Sequence, residues 1–257
     1  MRDFLEDAYE HRQDGYGRAQ AANKVPLMKR FYKAVTTAPA EGGHAILLDG
    51  KNMKTPGGKP VHVPTVALAE AMGREWEAQD TQIDFRHMPL VRLAHSAVES
   101  GPEGAPAFRD EIVKYAGNDL LLYRADSPDS LVRDQEKHWD PVLAALSKTY
   151  GVTFAPTVGI IHQPQPVETL AVLNATLADE DHFALAALMQ MVSLTGSALL
   201  TLAYRRNLID SGTVWTAAHV DEDHNIRLWG EDDEAAKRRA QRFVEFSAAV
   251  DMLKALR

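Results

Sequence analysis

Ten histidines and the acidic run over residues 221–223 are the first places where this chain could assemble side-chain chemistry. His219 and Asp223 stand four apart, so one helical face could carry both, with Glu222 and His224 alongside. Imidazole and carboxylate are ordinary zinc ligands, so a metal-dependent hydrolase or small-molecule enzyme using Glu222 and His224 is one functional reading. Against it, the H-E-x-x-H pattern is absent and the sequence places no third ligand; a solvated acidic turn is the simpler reading. His87 and His95 read as surface or capping histidines. The carboxylate pairs Asp221/Glu222 and Glu231/Asp232 are adjacent, face different sides of a helix, and make poor general acid/base pairs.

Other catalytic templates fail for lack of the groups they need. There is no G-x-x-x-x-G-K followed by Ser or Thr, no G-x-G-x-x-G and no G-x-S-x-G. Ser193 and Ser197 therefore read as packing hydroxyls on a helix rather than nucleophiles. The absence of cysteine excludes disulfides, thiol catalysis and thiolate zinc sites. No catalytic, cofactor-binding or metal-binding residue is assigned, and protein binding is a better reading than catalysis. Trp76, Trp139, Trp215 and Trp229 could each anchor a core or an interface.

The elements that must position these groups change in kind along the chain. The 257 residues, 45% of them apolar, can bury a sizeable core. With 28 basic against 36 acidic residues the net charge is −8, which argues against nucleic-acid binding and a polybasic membrane anchor. The opening twenty residues resemble neither a secretory signal nor a transit peptide, so the chain reads as cytoplasmic. Residues 1–28 read as an N-terminal arm. Over 31–63 the pattern is strand-like: a hairpin turns at Asp49-Gly50, and a third strand lies near residues 61–63. Thr65 caps a helix whose Leu68, Ala69, Met72 and Trp76 share a face. Residues 29–127 thus form an α+β domain, a small antiparallel sheet with helices.

Residues 128–257 read as a helical bundle. Ser127-Pro128 and Asp140-Pro141 look like helix starts, giving two helices or one kinked helix before Gly151. Further helices are expected over 167–178, 181–206, 212–228 and 232–256. The 22 residues from 183 to 204 carry no formal charge, yet Gln190, Ser193, Ser197 and Thr201 fall on one polar arc, favouring a central bundle helix over a membrane span. On the last helix, Ala236, Ala240, Phe243, Ser247 and Val250 are expected to face inward.

Together these pieces resemble the assembly chaperones of F-type ATP synthase that act on the alpha subunit of the catalytic sector. The residues that carry the resemblance are KRFYK at 29–33, LDGKNMKTP at 48–56, Leu68-Ala69 leading to Glu75-Trp76 and Gln79, Met88-Pro89-Leu90, Tyr123-Arg124-Ala125, Gln135, Trp139-Asp140-Pro141 and Trp229-Gly230. The resemblance spans about residues 29–255. It implies an N-terminal α+β domain followed by an orthogonal helical bundle, no enzyme activity, no cofactor, and transient binding of an unassembled alpha subunit by a monomer. The family's acidic run into Trp-Gly stands here as DEDHNIRLWG at 221–230, with His224 where an aromatic is usual and Asn225 where Gln is usual. Glu222 matches the pattern and is the first candidate for a functional carboxylate. Asp223, Trp229, Gln190, Ser193, Ser197, Trp76 and Trp139 complete the expected partner surface. The family occurs in mitochondria and some bacteria, and this chain reads as bacterial.

Overall fold

The computed structural model describes residues 27–257. All but the last two residues of the expected arm at 1–28 lie outside the described residues. The described residues form two compact units. In the smaller, residues 27–31 with Gln79–Asp84, strand β1 (Met28–Lys29) pairs antiparallel with β6 (Gln82–Ile83), and the Arg30 amide donates to the Thr81 carbonyl at 2.9 Å.

The larger unit, Tyr32–Ala78 with Phe85–Arg257, opens with the expected meander. β2 (Val35–Ala40) and β3 (Gly43–Leu48) pair antiparallel over their full lengths. The other edge of β3 is shared end to end by β5 (His62–Val63) and β4 (Lys51–Asn52). Asp49 and Gly50 both take positive φ, 49° and 77°, the turn that matches strand twist in a two-residue hairpin. Helix α1 (Val66–Glu77) lies on this sheet, with the Thr65 hydroxyl capping the Leu68 amide and with Leu68, Ala69, Met72 and Trp76 buried, the face that the spacing predicts.

From there the unit is helical: α2 (Pro89–Gly117), kinked where Gly101 (φ 63°) precedes Pro102, then α3 (Asp129–Tyr150), α4 (Val167–Thr176), α5 (His182–Thr195), α6 (Ala198–Arg205), α7 (Ser211–Ala218), α8 (Val220–Trp229) and α9 (Asp233–Ala255). Residues 119–124 form a 3-10 turn, Leu120–Leu122, followed by β7 (Tyr123–Arg124), which pairs parallel with β8 (Thr157–Val158). The whole is α+β, a small antiparallel sheet with a helical C-terminal region. α5 is buried on nearly every side and packs along α2, α6 and α9, as a central bundle helix should. Among the described residues no helix is long and apolar enough to cross a membrane.

Several expectations are corrected. Of the two alternatives before Gly151 the single helix is found, α3 running through Pro141; it starts at Asp129, after a cis Ser127-Pro128 peptide, and the Ser127 hydroxyl bonds Asp126 instead of capping it. The helix expected over 181–206 is two, because Gly196 takes a left-handed conformation (φ 69°) and Ser197 starts a new helix. The helix expected over 212–228 breaks at His219. On α9 the inward residues are Phe246, Ala248, Ala249, Val250, Met252 and Leu253; of the expected stripe Val250 is inward, whereas Ala240 and Phe243 are exposed. The N-terminal half of α9 is only partly covered, by α8 at Arg239 and by Trp215 at Phe243, so its apolar spacing does not report a buried face.

Candidate partner-binding surface

Most of the residues that carry the resemblance wire the scaffold together. The Asp49 carboxylate accepts from the Lys33 and Ala34 amides at 3.0 and 2.8 Å, joining the hairpin turn to the entry of β2 and lying below the usual carboxylate range because of those bonds. Met88 offers no side chain to cap α2; the Glu75 carboxylate, reaching across from α1, accepts from the free amides of Leu90 and Val91 at 2.9 and 2.8 Å. Burial nevertheless pushes Glu75 upward, outweighing those bonds. Gln135 on α3 accepts from the Ala125 amide and donates to Asp221, each at 2.8 Å, and Trp139 donates its indole N–H to the Ala217 carbonyl. Arg124 lies over the Trp139 ring and pairs with Asp140 at 2.7 Å.

α8 and α9 form a different kind of place. Glu222, Asn225, Ile226 and Trp229 recur at helical spacing, so one face of α8 presents all four. That face meets Ala235, Ala236 and Arg239 of α9 across a groove of about 380 Å³ closed at one end by Gly230, Glu231 and Asp232. Gly230 adopts φ 86° and ψ 170°, a region open essentially to glycine alone, and ends α8 directly after Trp229. Asp232 then caps α9 by accepting from the Ala235 amide at 2.7 Å. Trp229 is 82% exposed and its neighbour Leu228 58%, a costly arrangement for large apolar side chains unless something covers them.

The electrostatics leave Glu222 available. Its side chain is 38% exposed, and the nearest cationic candidate is His219 Nε2 at 3.9 Å. His219 donates its Nδ1 hydrogen to the Trp215 carbonyl at 2.7 Å, and burial lowers its pKa, so at neutral pH its Nε2 carries no proton to offer. Asp223 pairs with Arg239, and Arg227 with Asp134. His224, standing in the usual aromatic position, is buried. Among the described residues no three His, Asp or Glu side chains converge as metal ligands.

The other expected contact residues divide. Gln190 and Ser193 on α5 line a separate pocket of about 250 Å³ with Arg92, Phe108, Met189 and Glu245, and the two pockets share no residue. Trp76, Trp139 and Ser197 are interior, and their placement at a partner surface is corrected. Trp76 packs edge-on against Tyr32 and Phe85, and Trp139 is fully enclosed. Ser197 caps α6 at the Leu200 amide and donates to the buried Asp119 carboxylate at 2.7 Å, which also accepts from the Leu199 amide at 2.9 Å. Burial raises Asp119 to about 6. Periodicity points to Ile226 and Leu228 only as helix residues; the place of Ile226 in the groove and the exposure of Leu228 need the α8–α9 turn.

A family model described as ATP12 chaperone protein matches residues 29–147. The crystal structure of Atp12 from Paracoccus denitrificans is 38% identical, with 90% of this chain and 99% of that chain covered and a TM-score of 0.84. The chain belongs to the ATP12 family of ATP synthase assembly chaperones. The Atu1473 protein of Agrobacterium tumefaciens is 41% identical, over 93% of this chain and 90% of that one, with a TM-score of 0.87. The mitochondrial protein atp12 of Schizosaccharomyces pombe is 23% identical over 222 residues, 82% of this chain and 76% of the relative. The ATP12 family match ends at residue 147, well before α8, so it covers the Asp49, Glu75 and Trp139 wiring and not the Glu222 groove.

Proposed function

We propose that this chain binds the unassembled alpha subunit of the F-type ATP synthase catalytic sector, covers apolar surface that alpha later buries against beta, and releases it when beta arrives. The observation that carries this reading is the exposed Trp229 beside an available Glu222 in one groove, with Leu228 exposed on a neighbouring face of α8, in a chain of the ATP12 family. Interface-sized apolar surface on a free subunit aggregates if left uncovered, and a chaperone must present matching apolar area of its own. Glu222, Asp223 and Trp229 form the primary contact; Gln190 and Ser193 supply a second, polar one. The protein acts as a monomer without cofactor or catalysis; the chaperone names of its relatives support the last of these. Its higher identity to the Agrobacterium and Paracoccus proteins than to the mitochondrial one supports action in a bacterial cytoplasm.

Co-purification tests the proposal. Tagged protein should capture alpha from a lysate, and lowering its level should reduce synthase assembly; failure of both removes the reading. A partly exposed acid seldom stabilises a fold by more than about 0.5 kcal/mol, so Glu222→Gln should leave the melting temperature nearly unchanged. Loss of one charge-assisted contact should weaken capture about tenfold or more. A variant that melts several degrees earlier yet captures normally would make Glu222 structural.

A further inference from the structure

The groove between α8 and α9 has an apolar floor and an acidic rim, and that combination selects its occupant. Ile226, Ala235 and Ala236 with the Trp229 indole make the apolar surface; Glu222, Glu231 and Asp232 stand at its edge. Arg239 is the one cation lining the groove, and Asp223 already holds it. It attracts Glu222 and Glu231 as well, but one guanidinium against four carboxylates leaves the place strongly negative. Two neighbouring cations are likewise committed: Arg227 pairs with Asp134, and Arg238 with Glu234 at 3.7 Å. His219 is neutral, and Glu231 makes no ion pair among the described residues. The open indole face of Trp229 is itself a favourable seat for a cation.

We infer that this groove seats a cationic apolar segment of the client: one large aliphatic or aromatic side chain on the floor, flanked by arginine or lysine reaching Glu222, Glu231 and the Trp229 ring. The inference rests on the proposed function and deepens it by naming the chemistry of the bound segment. An acidic or uncharged apolar segment would fill the floor equally well but would meet like charge, or leave the rim carboxylates desolvated without partners.

Two short designed peptides, one alternating leucine and arginine and the other leucine and glutamate, probe the full-length protein through Trp229 fluorescence. The leucine–arginine peptide should bind and its counterpart should not, with affinity falling as salt is raised. The Glu222→Gln/Glu231→Gln double variant should lose about tenfold in affinity and most of the salt dependence. A control with equal change in net charge, Glu70→Gln/Asp110→Asn, both exposed elsewhere, should bind as the parent does. Equal binding of both peptides, or equal loss in control and rim variants, overturns the inference. Capture of whole alpha is read in parallel: if alpha is captured by the parent and the rim double variant alike, the groove chemistry is wrong while the proposed function stands. If the leucine–arginine peptide binds through the rim but alpha is not captured, the groove chemistry stands and the client assignment fails.

Discussion

Asp119 is a carboxylate withdrawn completely from water. Its carboxylate is fully buried between the 3-10 turn and the start of α6, takes hydrogen bonds from Ser197, Leu199 and Leu121, and titrates near 6 rather than 3.8. Desolvation of the charge outweighs those donors. Because the folded-state pKa is raised, the folded protein holds this proton more tightly than the unfolded chain. The group's contribution to stability is therefore least favourable above pH 6 and improves as pH falls from 6 towards 3.8. Relative to Asp119→Asn, the parent should gain about 2 kcal/mol between pH 7.5 and pH 4.5, at about 1.4 kcal/mol per pH unit once below 6. Urea unfolding of both proteins at the two pH values measures this, and a difference that does not move with pH would show that Asp119 is not desolvated as described. Sequence offered no route to this residue, since its partners come from 78 and 80 positions away.

At the scale of elements, legibility followed whether local signals agreed with tertiary demand. The Asp49-Gly50 hairpin and the Thr65-capped α1 were readable because turn chemistry, cap and buried face coincide. The α5–α6 break was not, because uncharged apolar residues continue through Gly196 and hide a glycine stop followed by a serine cap. The phase error on α9 has the opposite origin: Ala240 and Phe243 recur at helical spacing, yet Ala240 is exposed and Phe243, edge-on to Trp215, is only partly covered. Trp229 and Glu222 were found through the resemblance, while the groove that joins them needed the Gly230 turn. The α5–α6 break makes a sharp comparison of two serines possible. Ser197→Ala removes both the cap on Leu200 and the donor to buried Asp119, and should cost about 1–3 kcal/mol. Ser193→Ala, whose hydroxyl bonds only its own helix at the Gln190 carbonyl, should stay within about 0.5 kcal/mol. Denaturant midpoints of the two variants check this; equal effects would restore the single continuous helix with its polar stripe.

For the molecule as a whole, the question is whether the α+β half and the helical half are separable bodies. The periodic pattern changes from strand-like to helical towards residues 125–130, but packing crosses that line. α2, which belongs to the first half by sequence, lies along α4, α5 and α9 of the second. The Thr65 hydroxyl at the start of α1 donates to the Ala255 carbonyl at the end of α9 at 2.7 Å, and Arg92 on α2 pairs with Glu245 on α9. Elements that share a buried face open together, because separating them exposes the apolar surface of both. Tyr32–Ala78 and Phe85–Arg257 should therefore unfold in one calorimetric transition, with calorimetric and van't Hoff enthalpies equal. A firm scaffold of this kind would hold the α8–α9 turn in place while Trp229 stays uncovered, so that a client meets a preformed surface rather than one that must be ordered first. Two resolved transitions, or a fragment over residues 29–127 that melts cooperatively alone, would show instead that the halves are independent and that the α2–α9 packing contributes little.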